Sequence, residues 1–468
     1  MSRFTLTVSS DNRSTRPLVP ITAAGLPARM RKADTFSQKW VQSVSFTASP
    51  GDICMVPETS GGVREILIGV SKKPDIWTLG NLSTRIPHGD YRLVPDSSAG
   101  WSKADVSMAI LGCALGAYRF ESYRATSRKE GEIRLFLESR ETMAALNREI
   151  QALTLVRDLV NTPAGDMMPE NLALLAEEFA RTAQAEFRSI TGQALLREGF
   201  PAIHAVGRAS VHAPQLLDLC WGKAEDPEVV LIGKGVCFDT GGLNIKGPAF
   251  MRFMKKDMGG AAHVLGLAHR IINESLPVRL RVLIPAVDNA ISGNSYRPGD
   301  VLETRKGLYV EVDDTDAEGR LILADALTVA CEQRPSMIID FATLTGAARV
   351  ALGTDVPAFF TNDEEIAEGL RKAAGDCHDP LWRLPLHEPY MDDLKSEVAD
   401  IVNAPGHGYG GAIAAGLFLQ RFIDKDIPWL HIDLMAWNRI ARPGRPVGGE
   451  AMGMRAVFRY LQTRMSMQ

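Results

Sequence analysis

Residues 229–246 read VVLIGKGVCFDTGGLNIK. Val229–Ile232 is an apolar run of strand length, and it leads into Lys234. A lysine therefore stands at the mouth of a strand. Asp239 follows, one residue short of Gly241 and Gly242, whose missing side chains let backbone approach a ligand closely. Outward from this segment, strand-like runs recur at Leu280–Ile284, Met337–Phe341 and Trp429–Asp433. Helical patterns alternate with them near Gly260–Asn273, Arg320–Cys331 and Gly411–Ile423. That alternation predicts an α/β fold with a central mixed or largely parallel sheet flanked by helices.

The first third reads as a smaller α/β unit. Asp52–Pro57, Glu65–Val70 and Glu132–Leu137 have strand character, and Lys103–Phe120 carries apolar residues at helical spacing. Tyr123–Glu132 is charged and aperiodic, which predicts a loop. From Ser139 to Val160 the pattern is helical, and Asn161-Thr162-Pro163 ends it. A further helix is expected from Pro169. The expected organisation is a small N-terminal α/β domain over 1–138, a connecting helix over 139–161 and a large C-terminal α/β domain over 162–468.

Composition narrows the function classes. A chain of 468 residues allows about three domains, or one small and one large. A net charge of −4 and a pI near 6.2 give no reason to expect nucleic acid or an anionic membrane as partner. Met1–Ser10 has no apolar core of a signal peptide, and the apolar Met108–Ala117 is too short to span a bilayer. Six cysteines without a CxxC pair make no disulfide framework. A cytoplasmic location is expected. Nine histidines leave few imidazoles for metal chemistry. Gly406–Gly411 formally matches GxGxxG, but no strand precedes it, so it predicts a glycine-rich turn into a helix. Cys237 reads as a small buried hydrophobe.

Charged residues gather beside glycines in three segments: 231–246, MKKDMGGAA at 254–262 and TDAEGRLILADAL at 315–327. Asp257 precedes Gly259-Gly260 and a helix. Asp316 and Glu318 stand at the positive end of the helix near Arg320. Four carboxylates from three loops (Asp239, Asp257, Asp316 and Glu318) repel one another, and two divalent cations would balance them. Oxygen-rich ligation suits zinc, manganese, magnesium or cobalt, and a close metal pair activates water and clamps a reacting oxygen. Lys234 could ligate only as a neutral amine. Lys246 suits a developing oxyanion, and Arg320 suits a carboxylate, phosphate or small anion.

These segments carry a resemblance. TDAEGR at 315–320, GKGxxFDxGGxxxK at 233–246, DMGGAA at 257–262, NTPA at 161–164, ATLTGA at 342–347 and GGAIAA at 410–415 are similar to the signatures of the leucine aminopeptidase family, dinuclear-metal cytosol aminopeptidases. The resemblance covers the C-terminal two-thirds. It implies a tighter metal site of Lys234, Asp239, Asp257 and Glu318. It implies a more exchangeable one of Asp239, Asp316 and Glu318, with the Asp316 carbonyl as a further ligand. Two zinc or manganese ions per subunit would hold a bridging hydroxide. Lys246 would stabilise the gem-diolate, and Arg320 would hold a bicarbonate acting as general base. Asp257 would meet the substrate's free amino group. Met254, Thr343 and Gly346 would line the pocket for the first side chain, with Leu344 offering backbone contacts. The implied substrates are peptides with a free N-terminus, the implied range broad and leucyl-type, and the implied assembly a homohexamer.

The sequence departs from the family pattern at four positions. Asp314 stands where Asn is usual, Thr240 replaces Ser, Gly247 replaces Pro, and Lys256 sets another cation beside Asp257. None removes a ligand. Two other functions compete with this one: a narrow dipeptidase such as a Cys-Gly hydrolase, and a non-catalytic DNA-binding or scaffold role.

Overall fold

The computed structural model describes residues 4–8, 15–125 and 131–466. The chain divides into two compact units. One holds the chain up to Thr154 with Arg439–Val447, and the other holds Leu155–Asn438 with the chain from Gly448. The division falls within a helix, Arg140–Asn161.

The first unit is built on a six-stranded sheet in the order Phe4–Val8, Ile133–Leu137, Gly89–Leu93, Arg16–Ile21, Val63–Gly69 and Ile53–Pro57. All pairings are parallel except the last. The helix Lys103–Ala117 starts on Ser102, whose hydroxyl accepts from Asp105 N while Asp105 returns the bond. Its strands Ile53–Pro57, Val63–Gly69 and Ile133–Leu137 match sequence expectation within two residues. The strands at Phe4–Val8, Arg16–Ile21 and Gly89–Leu93 went unread: Phe4–Val8 alternates but spans only five residues, two prolines interrupt Arg16–Ile21, and Gly89–Leu93 has few apolar residues. Part of the expected loop at 123–132, residues 126–130, lies outside the described residues.

The second unit carries a nine-stranded mixed sheet. Its path runs Trp382–Arg383, Ala358–Thr361, Trp429–Asp433, Met337–Ala342, Glu228–Gly233, Arg279–Asn289, Gln215–Trp221 and Glu186–Thr191; Gly235–Asp239 pairs off the path with Arg279–Asn289. The four central strands, Trp429–Asp433 to Arg279–Asn289, are parallel. They are buried on both faces, which explains their continuous apolar runs. The helices Gly259–Asn273, Glu318–Cys331 and Gly411–Gln420 follow as expected. Gly410 caps the last in the left-handed conformation, so the 406–411 glycines form a turn into a helix.

Gly260 shows how tightly helix and sheet are keyed. A Cβ there would lie 2.1 Å from the Phe341 carbonyl oxygen and 2.7 Å from Lys234 N. Helix Gly259–Asn273 therefore meets the strand ends with no room for a methyl group. Gly260→Ala should lower the unfolding free energy by about 2 kcal/mol or more through overpacking, read by urea denaturation. An unchanged midpoint would contradict this keying.

Candidate active site

The expected site residues sit where the central parallel strands end, the crevice in which open α/β sheets bind ligands. Lys234 follows the strand Glu228–Gly233, Asp239 ends Gly235–Asp239, and Thr343 and Asp433 stand at the ends of the next two. Asp257 lies on a 3-10 turn, Met254–Met258, and Glu318 is the first residue of its helix. Asp239, Asp316 and Glu318 bring ligand oxygens within 4.8 Å of one another. Asp257 is not in that trio. It joins the cluster through Lys234, whose Nζ lies 2.6 Å from Asp257 Oδ2 and 2.8 Å from Glu318 Oε1. Lys246 Nζ pairs with Asp239 Oδ2 at 2.8 Å and with Asp316 Oδ1.

Local chemistry makes this packing feasible. Gly319 leaves the space that Lys234 fills, since a Cβ there would lie 2.6 Å from Lys234 Cε. Gly242 adopts φ +62° beside Thr315, whose Oγ1 a Cβ would approach to 2.8 Å. Thr315 Oγ1 donates to Gly241 O and accepts from Asn244 N, tying the two acidic loops together. Asn289 Nδ2 donates to Asp239 Oδ1 and to Thr315 O, and Asn403 Nδ2 donates to Asp314 O. Asp433 accepts from the N–H groups of Leu344 and Thr345, which holds the 343–345 loop against the site. Sequence reasoning passed over Asn289, Asn403 and Asp433. A polar residue closing a buried strand was the available signal for Asn289 and Asp433.

The electrostatics are those of crowded like charges. Burial pushes the Glu318 carboxyl up to about 8, reinforced by Asp239, and Lys234 does not reverse it. Burial, then Asp239, pushes Asp316 up to about 6 against the pull of Lys246. Asp257 goes the other way: burial opposes ionisation, but Lys234, Lys256 and Lys246 hold it well below the usual range. For Lys234 and Lys246, burial favours the neutral amine, yet the surrounding carboxylates keep both above an ordinary lysine.

The donor set fits divalent ions. Glu318 Oε2 is buried and accepts no hydrogen bond among the described residues, while Glu318 Oε1, Asp257 Oδ2 and Asp316 Oδ1 are met by lysine ammonium groups that bound cations would replace. Their lone pairs remain available for hard cations. Arg320 is separate from the cluster. It is 7% exposed, its Nη1 donates to Asn403 O at 2.6 Å, and its buried Nε has no hydrogen-bond partner among the described residues. Burial pushes its guanidinium down to about 10. Met254 is buried, Thr343 Oγ1 donates to Asp257 Oδ1 at 2.7 Å, Leu344 is half-buried and Gly346 is exposed.

Residues 154–458 match the catalytic domain of the cytosol aminopeptidase family, and residues 16–137 match the N-terminal domain of M17 aminopeptidases. The chain belongs to the cytosol aminopeptidase family. A probable cytosol aminopeptidase of Roseiflexus castenholzii is 40% identical over 85% of this chain and 87% of its own length. The crystal structure of the Coxiella burnetii cytosol aminopeptidase aligns with TM-score 0.93 at 45% identity, covering 99% of each chain. The bottromycin maturation enzyme BotP in complex with Mn aligns with TM-score 0.87 at 31% identity, over 97% of this chain and all of its own. The α/β fold expected from the alternating pattern is the fold of this family. Among the described residues, no helix is long and apolar enough to cross a membrane.

The raised carboxyls carry a pH signature. A carboxyl whose folded pKa exceeds its unfolded value binds protons more tightly when folded. Its stabilising share is full below the unfolded value and is lost as pH rises through the folded one. For Asp316 and Glu318 the loss falls between about pH 4 and 8. Metal-free protein should therefore show a falling thermal midpoint from pH 5.5 to 8.5. Glu318→Gln should flatten that fall, and an equally steep fall in the variant would contradict the assignment.

Proposed function

We propose that this chain is a metal-dependent aminopeptidase that releases N-terminal residues from peptides. The observation that carries the reading is the convergence of four carboxylates from three segments, Asp239, Asp257, Asp316 and Glu318, around the ammonium groups of Lys234 and Lys246. Lys234, Asp239, Asp257, Asp316 and Glu318 would hold two divalent ions, zinc or manganese. When bound, the ions supply Lewis acidity towards a carbonyl and lower the pKa of water. Lys234 must lose its proton to ligate, and an adjacent dication supplies the field for that.

The chain's own groups do the rest. Asp257, fixed by Thr343 Oγ1, accepts from the substrate's free amino group and so selects an unblocked N-terminus. Lys246 is the less buried of the two lysines, with its side chain 12% exposed against 3% for Lys234. It faces outward enough to donate to the oxyanion of a tetrahedral centre. Arg320 keeps a buried Nε–H free, which suits a bicarbonate that would accept a proton from the attacking water. Met254 gives an apolar wall to the first side-chain pocket, Leu344 offers backbone groups, and Gly346 leaves space. A leucyl-type range rests on that wall. A homohexamer and a cytoplasmic location complete the reading, and a monomeric mass by light scattering would reject the assembly.

Protein reconstituted with manganese or zinc should hydrolyse Leu-p-nitroanilide. Lys246→Ala and Asp316→Ala should each lower kcat/KM by about a hundredfold or more, as loss of oxyanion or metal contacts does. Full activity in both variants would overturn the mechanism.

A further inference from the structure

A second lysine serves Asp257 alone. Lys256 sits beside it on the 3-10 turn Met254–Met258, is 1% exposed, and places its Nζ 3.3 Å from Asp257 Oδ1. That oxygen also accepts from Thr343 Oγ1 at 2.7 Å. Lys234 Nζ stands on the other oxygen, Oδ2, at 2.6 Å. One buried carboxylate is thus held between two ammonium groups. Among the described residues, the Lys256 ammonium reaches no other carboxylate and donates no other hydrogen bond.

The three lysines of the cluster differ in what an arriving ion means for them. Lys234 also reaches Glu318 Oε1 at 2.8 Å and Thr343 O at 3.2 Å, and as a neutral amine it would itself be a ligand. Lys246 bridges Asp239 and Asp316, and its side chain is 12% exposed, so water shares its charge. Lys256 has neither outlet. Without metal, its charge offsets one acid of a crowded cluster. With a dication against Asp257, the same charge repels that ion, and burial leaves little solvent or salt to screen it. Oδ1 is also engaged twice, so Asp257 offers an ion one oxygen, Oδ2. We propose that Lys256 is an internal counter-ion that stands in for part of the metal charge and weakens the ion held at Asp257. The repulsion falls with distance, so an ion at Asp316 feels it less. This deepens the metal-dependent reading and rests on it.

Two variants separate charge from packing. Lys256→Met removes the charge and nearly keeps the side-chain length, and Lys256→Gln keeps a donor for Asp257 Oδ1. Manganese binding to metal-free protein is read by calorimetry, with no substrate present. In both variants one of the two dissociation constants should fall about tenfold or more, and the other should change by less than about threefold. The metal-free thermal midpoint should drop in both, and manganese should then raise it further than in the unaltered chain. A side chain that only packed the turn would leave both constants unchanged or weaken them, and either result would overturn the proposal. If the metal-free variants do not fold, protein purified with manganese throughout answers the question through the rate at which a chelator strips it. Slower release than from the unaltered chain supports the counter-ion, and equal or faster release overturns it. Two ions bound without hydrolysis of Leu-p-nitroanilide would overturn the aminopeptidase reading, while the constants still decide the role of Lys256. No manganese binding by the unaltered chain would overturn both.

Discussion

Like-charge repulsion among buried carboxylates is the constraint around which the larger unit is arranged. Asp239, Asp257 and Glu318 are each about 2% exposed or less, and Asp316 closes the group from the more open side. In water such a cluster would disperse. Here each acid is fixed by the element that presents it: a strand end, a 3-10 turn, a helix start. Three ammonium groups, of Lys234, Lys246 and Lys256, offset part of the charge, while burial and the remaining carboxylate charge push Glu318 and Asp316 upward. Multivalent cations bound there would relieve the repulsion that folding imposes.

Close packing around the cluster follows from the same constraint. Lys234 fits only because Gly319 and Gly260 lack side chains, and the acidic loops interlock only because Gly242 admits Thr315. Asn289 and Asn403 then spend their amide groups on loop oxygens, so the loops keep their register without further charge. One layer out, Asp433 pins the 343–345 loop against the strand ends.

Much of this was legible in the sequence, for identifiable reasons. The central strands announced themselves as apolar runs because both of their faces are buried. Lys234, Asp239, Asp257, Asp316 and Glu318 stood out because charge beside glycine is out of place at strand and helix ends. The N-terminal sheet was only half legible, since two prolines break the strand pattern of Arg16–Ile21 and Gly89–Leu93 holds few apolar residues. Asn289 and Asp433 showed only as polar residues closing buried strands, and Asn403 not at all, because their roles depend on partners far along the chain. Lys256 was visible as a departure from the family pattern, and its pairing with Asp257 follows from their adjacency.

The central claim is that the carboxylate–lysine cluster is a two-ion site whose protons leave when the ions arrive. Calorimetric titration of metal-free protein with manganese near pH 7, repeated in two buffers of different ionisation enthalpy, tests it most directly. The account predicts two ions bound per chain with net release of at least about one proton, from Glu318 or Lys234. Saturation without proton release, or no binding, would contradict it.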